Sequence, residues 1–305
     1  MSEPTTYRGI VVAVDGSPAA DVAASWAARE AAMRNVPLSI VHSVVTPTAT
    51  WPPMPYPDAL AVRLEDDGKK AIMHAVKIAE DAMPADRRVT INRELVYSTP
   101  ALALIKMSDE ADMIVVGTSG RGLLARGVLG SVSSTVVRHA NCPVAVVRDE
   151  ELPDPQRAPV LLGIDGSPAS ELATEVAFDE ASRRGVDLVA LHAWSDVALS
   201  EIPESDWSTL EEAAQRSLAE SLAGWQERYP DVTVQRLIVR DRPARELVEK
   251  SESAQLVVVG SHGRGGLTGM LLGSVSNAVL HSARVPVIVA RPTSFSDETG
   301  RHTSH

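Results

Sequence analysis

The sequence predicts an α/β protein of two tandem, open, doubly wound parallel sheets with five strands each, of the flavodoxin or Rossmann-like type. Two observations predict it. The same motifs occur once in each half of the 305-residue chain, and within each half short apolar segments alternate with amphipathic ones. The apolar segments contain Ile-Val-Val runs without polar alternation, which is typical of strands covered by helices on both faces. Alternating strands and helices with right-handed crossovers give a doubly wound sheet.

Two repeated motifs define the domains. The segment Asp15–Ala19 recurs as Asp165–Ala169, 150 positions later, whereas the motif at Leu129 recurs at Leu272, 143 positions later. We expect the seven-residue difference in the Pro-rich segment 46–57, because proline is excluded from regular helix and central strand. The predicted domains are residues 1–150 and 151–305, the second ending in a short polar C-terminal tail.

Each element follows from its own pattern of apolar residues and breakers. In the first domain the pattern predicts strands at 9–14, 38–44, 88–97, 112–116 and 143–147. It predicts the intervening helices at 19–33, 60–83, 100–108 and 131–139. In the second domain the predicted strands are 160–164, 187–193, 233–239, 256–259 and 285–290.

Composition narrows the functional classes. The formal net charge of −11 disfavours a nucleic-acid binder, whose affinity rests on clustered Lys and Arg. Apolar runs fall far short of the roughly 20 residues that span a bilayer, and no signal peptide is evident, which predicts no membrane insertion. A single cysteine, Cys142, fits a reducing compartment. We therefore expect a cytoplasmic protein.

A glycine motif follows the fourth predicted strand of each domain. Gly117, Gly120 and Gly130-Ser131 have the spacing G-x2-G-x9-G-S, and the same spacing begins at Gly260. Glycines let successive N–H groups approach an anion, and a helix that begins at the final Gly-Ser presents free N–H groups to a phosphate. Ligands of open α/β sheets bind at this end of the strands. The duplicated motif therefore predicts two phosphate-binding sites.

The sequence resembles the universal stress protein family. The features that carry the resemblance are the two glycine motifs, the Asp-Gly-Ser segments and the Pro-Val strands after the motif helices. The resemblance covers about residues 8–291 and is to the tandem two-domain, ATP-binding form of mycobacteria and other actinobacteria. It implies a strand order of 3-2-1-4-5 and binding of ATP, with Mg²⁺ held through the phosphates. It also implies a regulator in stress response, dormancy or growth control.

The resemblance implies the binding residues position by position. They are the strand-end aspartates with the small residues before them, the glycine loops, and the start of the next helix. In the first domain these are Ala13, Asp15, Gly117, Thr118, Ser119, Gly120, Arg121, Gly122, Arg126, Gly130, Ser131 and Val132. In the second they are Gly163, Asp165, Asp196, Gly260, Ser261, His262, Gly263, Arg264, Gly265, Gly266, Gly273, Ser274, Val275 and Ser276. Asp196, His262 and Arg126 have no counterpart of the same type, so the two sites are expected to differ.

Other interpretations stay open at this point. Asp15 and Asp165 also suit an Asx turn or a helix cap. His42 and His192 suit core or rim positions better than metal sites. No P-loop, catalytic triad or paired carboxylate repeats between the domains, which favours binding without efficient turnover over a slow ATPase or a nucleotide-transferring enzyme. A third hypothesis is an interaction module in which nucleotide is structural.

The predicted partners are an adenine nucleotide, a second copy of the chain and an unknown protein. The fifth strands, 144–147 and 287–290, are apolar edges that invite pairing. The two domains are therefore expected to pair with each other, and the chain is expected to form a homodimer.

Overall fold

The computed structural model describes residues 7–45, 58–118, 129–148, 157–193, 207–240, 242–263 and 271–291. Two compact units divide the chain, one within Met1–Asp149 and the other within Glu150–Arg291. We call them unit 1 and unit 2. The predicted Pro-rich segment 46–57 and the C-terminal tail lie outside the described residues.

Unit 1 alternates strands and helices along its described residues. Its strands are β1 (Gly9–Ala13), β2 (Leu38–Ser43), β3 (Ile91–Val96), β4 (Ala111–Gly117) and β5 (Val144–Val147). Its helices are α1 (Pro18–Arg34), α2 (Asp58–Ala82), α3 (Pro100–Met107) and α4 (Ser131–His139).

Unit 2 repeats this order of elements. Its strands are β6 (Val160–Gly163), β7 (Leu188–Ala193), β8 (Val234–Val239), β9 (Leu256–Gly260) and β10 (Val287–Ala290). Its helices are α5 (Pro168–Arg184), α6 (Trp207–Arg228), α7 (Pro243–Ser251) and α8 (Ser274–Ser282).

The sheet of each unit is parallel and doubly wound. In unit 1 the strand order is β3-β2-β1-β4-β5, and in unit 2 the corresponding order is β8-β7-β6-β9-β10. The first strand pairs with both the second and the fourth strand in each unit. The predicted fold class and the strand order implied by the resemblance are therefore confirmed. The second and third strands lie on one side of the first strand, and the fourth and fifth strands lie on the other. The switch point, where ligands bind such sheets, is therefore beside β1 and β6.

Small side chains let the helices approach the sheet. Helix α1 buries a run of alanines that are fully inaccessible, among them Ala23, Ala27 and Ala31. The helix begins at Pro18 because Ser17 caps it, with Oγ accepting a hydrogen bond from the Ala20 N–H at 3.3 Å. Unit 2 has the same cap at Ser167. These caps fix the point at which the chain turns from the first strand into the first helix of each unit.

The seven-residue difference between the repeats does not fall wholly in the Pro-rich segment, so that prediction is wrong in part. Helices α2 and α6 end at Ala82 and Arg228, 146 positions apart, whereas β3 and β8 begin 143 positions apart. Three of the seven residues are therefore missing between helix and strand. The prediction that β3 begins at residue 88 fails for the same reason, because unit 1 uses the longer connection as a turn.

None of the described helices is both long and apolar enough to cross a membrane.

Candidate functional site

A cavity of about 260 Å³ lies at the carboxyl ends of the strands in unit 1. The ends of strands β1, β2 and β4 line one part of it, and the starts of helices α1, α3 and α4 line the rest. The wall consists of Ala13, Val14, Asp15, Ala20, Val41, His42, Ser43, Pro100, Leu104, Val116, Gly117, Gly130, Ser131, Val132 and Ser133. The structure thus brings together Ala13, Asp15 and the two ends of the glycine motif, which are far apart in sequence.

The first turn of α4 faces this cavity. Its N-cap is Gly130, which has no side chain to satisfy the N–H groups of the turn, and Ser131 at the first helical position is exposed. The positive end of the helix and its uncapped N–H donors are suited to an anion. Unit 2 repeats the arrangement with Gly273 and Ser274.

The final glycine of each motif closes the loop rather than offering its own amide. The Gly130 N–H donates to the Thr118 carbonyl at 2.6 Å, and the Gly273 N–H donates to the Ser261 carbonyl at 2.7 Å. Each amide is thus engaged by the protein. The N–H groups that make no such bond and suit an anion begin one residue later, at Ser131 and Ser274.

A buried serine ties each motif helix to its strand. Ser133 Oγ donates to the Gly117 carbonyl at 2.6 Å, and Ser276 Oγ donates to the Gly260 carbonyl at the same distance. The hydroxyl proton of Ser276 is therefore used inside the protein, although the sequence reasoning assigned this residue to the ligand. Ser133 was not predicted, and its signal is its place in the repeated Gly-Ser-Val-Ser segment.

The first glycine of each motif is required by packing. A Cβ at Gly117 would lie 2.8 Å from the Ala19 carbonyl oxygen, and a Cβ at Gly260 would lie 2.7 Å from that of Ala169. Real side chains do not approach backbone so closely. These glycines let the first helix sit against the end of the fourth strand, whether or not a ligand binds.

The strand-end aspartates adopt the turn that their sequence suggests. Asp15 Oδ1 accepts a hydrogen bond from the Ser17 N–H at 3.0 Å, and Asp165 Oδ1 accepts one from the Ser167 N–H at 2.9 Å. The turn interpretation therefore holds for one oxygen of each carboxylate, whereas the helix cap is the serine. Asp15 also lines the cavity, so the two roles coexist.

The two units differ beside these shared contacts. Ser261 is buried and lies 2.9 Å from Nδ1 of His262, a residue that Ser119 replaces in the first repeat. A Cβ at Gly263 would overlap Oδ2 of Asp165. The sequence predicts room for a ligand beside Gly163. The Leu247 side chain takes up part of that room, because a Cβ on Gly163 would lie 3.0 Å from Leu247 Cδ1.

Comparisons with known proteins identify the family of this chain. Residues 6–148 and 157–291 each match the Universal stress protein family. The chain belongs to the universal stress protein family. The predicted family and its tandem form are thereby confirmed.

Its relatives and structural neighbours extend over nearly the whole chain. It is 64% identical to a universal stress protein of Mycobacterium tuberculosis strain H37Rv, with 95% of this chain and 99% of the relative covered. A second universal stress protein of that strain is 53% identical over the same shares. The crystal structure of a universal stress protein from Archaeoglobus fulgidus has a TM-score of 0.69 at 18% identity, covering 93% of this chain and 98% of that one.

Sequence reasoning about this universal stress protein missed part of the cavity wall. His42 was assigned to a core or rim position, and it is half-buried, with Nδ1 2.8 Å from the Val14 carbonyl oxygen. His192 makes the same contact with the Ile164 carbonyl. Both histidines lie near the ends of second strands, 150 residues apart, which agrees with the core or rim position expected for them. Leu104 and Pro100 were missed because only the fold brings α3 over the strand ends.

Several predicted binding residues of this universal stress protein lie outside the described residues. They are Ser119, Gly120, Arg121, Gly122, Arg126, Asp196, Arg264, Gly265 and Gly266. Within the described ranges, no group of three or more His, Cys, Asp or Glu side chains is arranged to hold a metal ion.

Proposed function

We propose that each unit binds an adenine nucleotide, ATP with Mg²⁺ carried on its phosphates, at the carboxyl ends of its strands. The bound nucleotide would set the conformation through which this cytoplasmic universal stress protein regulates the response to stress or entry into dormancy. The observation that carries the proposal is the cavity of unit 1, which joins an apolar wall to the uncapped first turn of α4.

The wall has two chemically distinct parts that suit two parts of a nucleotide. Val116, Leu104 and Pro100 supply apolar surface suited to a flat base, because binding sites are largely apolar with a few placed polar groups. Ser131 and Val132 lie where the helix presents N–H donors, which suit phosphate oxygens. Mg²⁺ needs few protein ligands when phosphates supply oxygens, so the proposed site does not require a cluster of metal-binding side chains.

The described wall supports binding better than catalysis. Its titratable side chains are Asp15 and His42, and each already makes a hydrogen bond to backbone. A hydrolase needs a group that positions and deprotonates water. We therefore place binding ahead of a slow ATPase activity.

Titration calorimetry with Mg²⁺-ATP tests the site in unit 1. Ser131→Asp puts a carboxylate where phosphate would sit, and the fold should persist because acidic residues stabilise helix N-termini. We expect the affinity of that site to fall about tenfold or more, since a charge-assisted hydrogen bond contributes about 1.5–3 kcal/mol. Thr90→Asp adds the same charge at an exposed residue immediately before β3 and should leave the affinity unchanged. Equal losses in both variants would contradict the assignment.

A turnover assay separates binding from catalysis. Phosphate release from Mg²⁺-ATP by the unsubstituted chain should not exceed release by the double variant Ser131→Asp/Ser274→Asp. Release clearly above that background would favour the slow ATPase.

We also propose a homodimer that presents a protein partner with a nucleotide-dependent surface. Light scattering after size-exclusion chromatography should give about twice the 32.5 kDa mass of one chain. A mass of one chain would contradict the homodimer. Partner binding that is indifferent to ATP would favour the interaction module.

A further inference from the structure

A groove at the outer edge of unit 2 is the strongest feature that the nucleotide site does not use. It has a volume of about 560 Å³ and runs between α6 and the edge strand β8. Its lining residues are Glu212, Gln215, Arg216, Ala219, Val234 and Arg236. The helix residues follow the i, i+3, i+4, i+7 spacing of one face, and the two strand residues alternate onto one face of the sheet.

The corresponding region of unit 1 has a larger side chain across it. Helices α2 and α6 end 146 positions apart, and the prolines that follow them, Pro84 and Pro230, have the same separation. At this separation Ala219 is the counterpart of Met73. In unit 1, the Arg93 guanidinium lies 3.8 Å from Met73 Sδ. Arg236 is the counterpart of Arg93, but alanine offers it no such contact. Ala219 therefore leaves the unit 2 groove without the long side chain that Met73 supplies at the corresponding position of unit 1.

One arginine of the groove has an alanine where its counterpart in unit 1 has an acidic partner. In unit 1 the exposed Lys70 lies 3.5 Å from Asp67, whereas the counterparts of this pair are Arg216 and Ala213. Among the residues that the structure describes, neither Arg216 nor Arg236 forms an ion pair. Both are exposed. Residues 151–305 contain 14 Lys and Arg but 23 Asp and Glu. Because acidic side chains outnumber basic ones in this half, arginines without an ion pair are notable there.

We propose that this groove, the α6–β8 groove, binds an extended acidic peptide segment of a protein partner. Planar guanidinium groups bind carboxylates through paired hydrogen bonds and recur in acidic-motif recognition. Ala219 and Val234 provide an apolar floor for alternate side chains. Strand β8 pairs only with β7 among the described strands, so its outer edge can extend the peptide backbone hydrogen bonding.

An acidic peptide suits the groove better than a nucleic acid. The chain carries a net charge of −11, which repels a continuous phosphate backbone over any long contact. A short segment makes no such long contact, and it can place a few carboxylates at the two arginines while leaving an uncharged residue beside Glu212. The α6–β8 groove is formed by elements that do not line the strand-end cavity, so this inference stands apart from the nucleotide proposal.

Fluorescence anisotropy with the full chain tests the groove. The probe is a fluorescein-labelled octapeptide of alternating Glu and Val, compared with its Gln-Val and Lys-Val analogues. The Glu-Val peptide should bind, and Arg216→Gln/Arg236→Gln should weaken it more than about tenfold, because two charge-assisted contacts are lost. The matched pair in unit 1, Lys70→Gln/Arg93→Gln, should change the affinity less than about twofold.

Filling the groove gives a second test that leaves the charges in place. Ala219→Met restores the side chain of unit 1 and should weaken the Glu-Val peptide several-fold. Bound peptide should also slow amide hydrogen exchange in 234–239 but not in 91–96. An unchanged affinity in both groove variants would overturn the proposal, and so would tighter binding of the Lys-Val peptide. Displacement of the peptide by an octanucleotide at lower concentration would assign the groove to nucleic acid instead.

Discussion

Units 1 and 2 share their hydrogen bonds at the carboxyl ends of the strands and differ at the outer edge of the sheet. The aspartate turns, the loop closures by Gly130 and Gly273, and the contacts of Ser133 and Ser276 recur with distances that agree within 0.1 Å. At the outer edge, by contrast, Met73 contacts Arg93 in unit 1, whereas unit 2 has an open groove. The proposed nucleotide sites therefore lie at the end of the sheet where the two units make the same backbone and side-chain contacts.

The contacts of the residues that immediately precede the first strand also differ between the units. In unit 1, Arg8 forms ion pairs with Glu94 and with Glu110, and Tyr7 donates to Asp112. Partial burial and this hydrogen bond to a carboxylate raise the pKa of the Tyr7 hydroxyl, which keeps the donor protonated. The counterparts of Arg8 and Glu94 in unit 2 are Ala158 and Leu237, so this network belongs to unit 1. This network therefore adds a difference away from the strand ends to the difference at His262 beside them.

The largest expected effect comes from a buried ion pair that both units share. Glu30 and Glu180 are fully buried and pair with Arg34 at 2.6 Å and Arg184 at 2.8 Å. Removing one partner leaves a buried charge, so Glu30→Ala and Glu180→Ala should each lower the free energy of unfolding by about 3–5 kcal/mol. Urea unfolding followed by circular dichroism measures this.

The control for this pair is Asp67→Ala, which breaks an exposed ion pair and should cost less than about 1 kcal/mol. A loss of stability from only one of the two glutamate variants would show that the pairs are not equivalent.

A smaller effect is expected where glycine is required by close packing. Gly117→Ala and Gly260→Ala force a methyl group against a backbone carbonyl and should each cost about 1–3 kcal/mol. Gly224 in α6 has nothing within 4 Å of a new Cβ, so Gly224→Ala should instead stabilise the protein by about 0.5–1 kcal/mol. Thermal unfolding distinguishes the two signs. Neutral substitutions at Gly117 and Gly260 would argue against the packing explanation.

The smallest effect concerns the serines that tie helix to strand. Ser133→Ala and Ser276→Ala each remove one buried hydrogen bond and should cost roughly 1 kcal/mol. Thr135→Ala removes an exposed hydroxyl that donates to the Ser131 carbonyl at 2.7 Å and should change stability by less than about 0.5 kcal/mol. Urea titration of the three variants tests the ranking, and an equal cost in all three would contradict it.

Local patterns predicted most of the fold, because buried parallel strands and capped helices leave clear signals. Helix α4 was predicted at residues 131–139 and lies there. The start of β3 was missed because charged residues after Pro84 can continue a strand or form a turn, and only the sheet register decides between them. The α6–β8 groove could not be predicted, since it depends on how Met73 and Ala219 meet a strand distant in sequence.

The repeated glycines predicted where the candidate site lies along the chain. They did not predict the hydrogen-bond partners of individual atoms. Spacing cannot show that the Gly130 amide closes the loop or that His42 lines the cavity. Those assignments depend on contacts between β1, β2 and α4 that form only in the folded sheet.

Native mass spectrometry of the full chain, with Mg²⁺-ATP only just sufficient to fill both sites of the unsubstituted chain, tests the central claim, a nucleotide site in each unit, most directly. The unsubstituted chain should carry two nucleotides, Ser131→Asp and Ser274→Asp one each, and the double variant none. Two nucleotides retained by the double variant, or none on the unsubstituted chain, would contradict the claim.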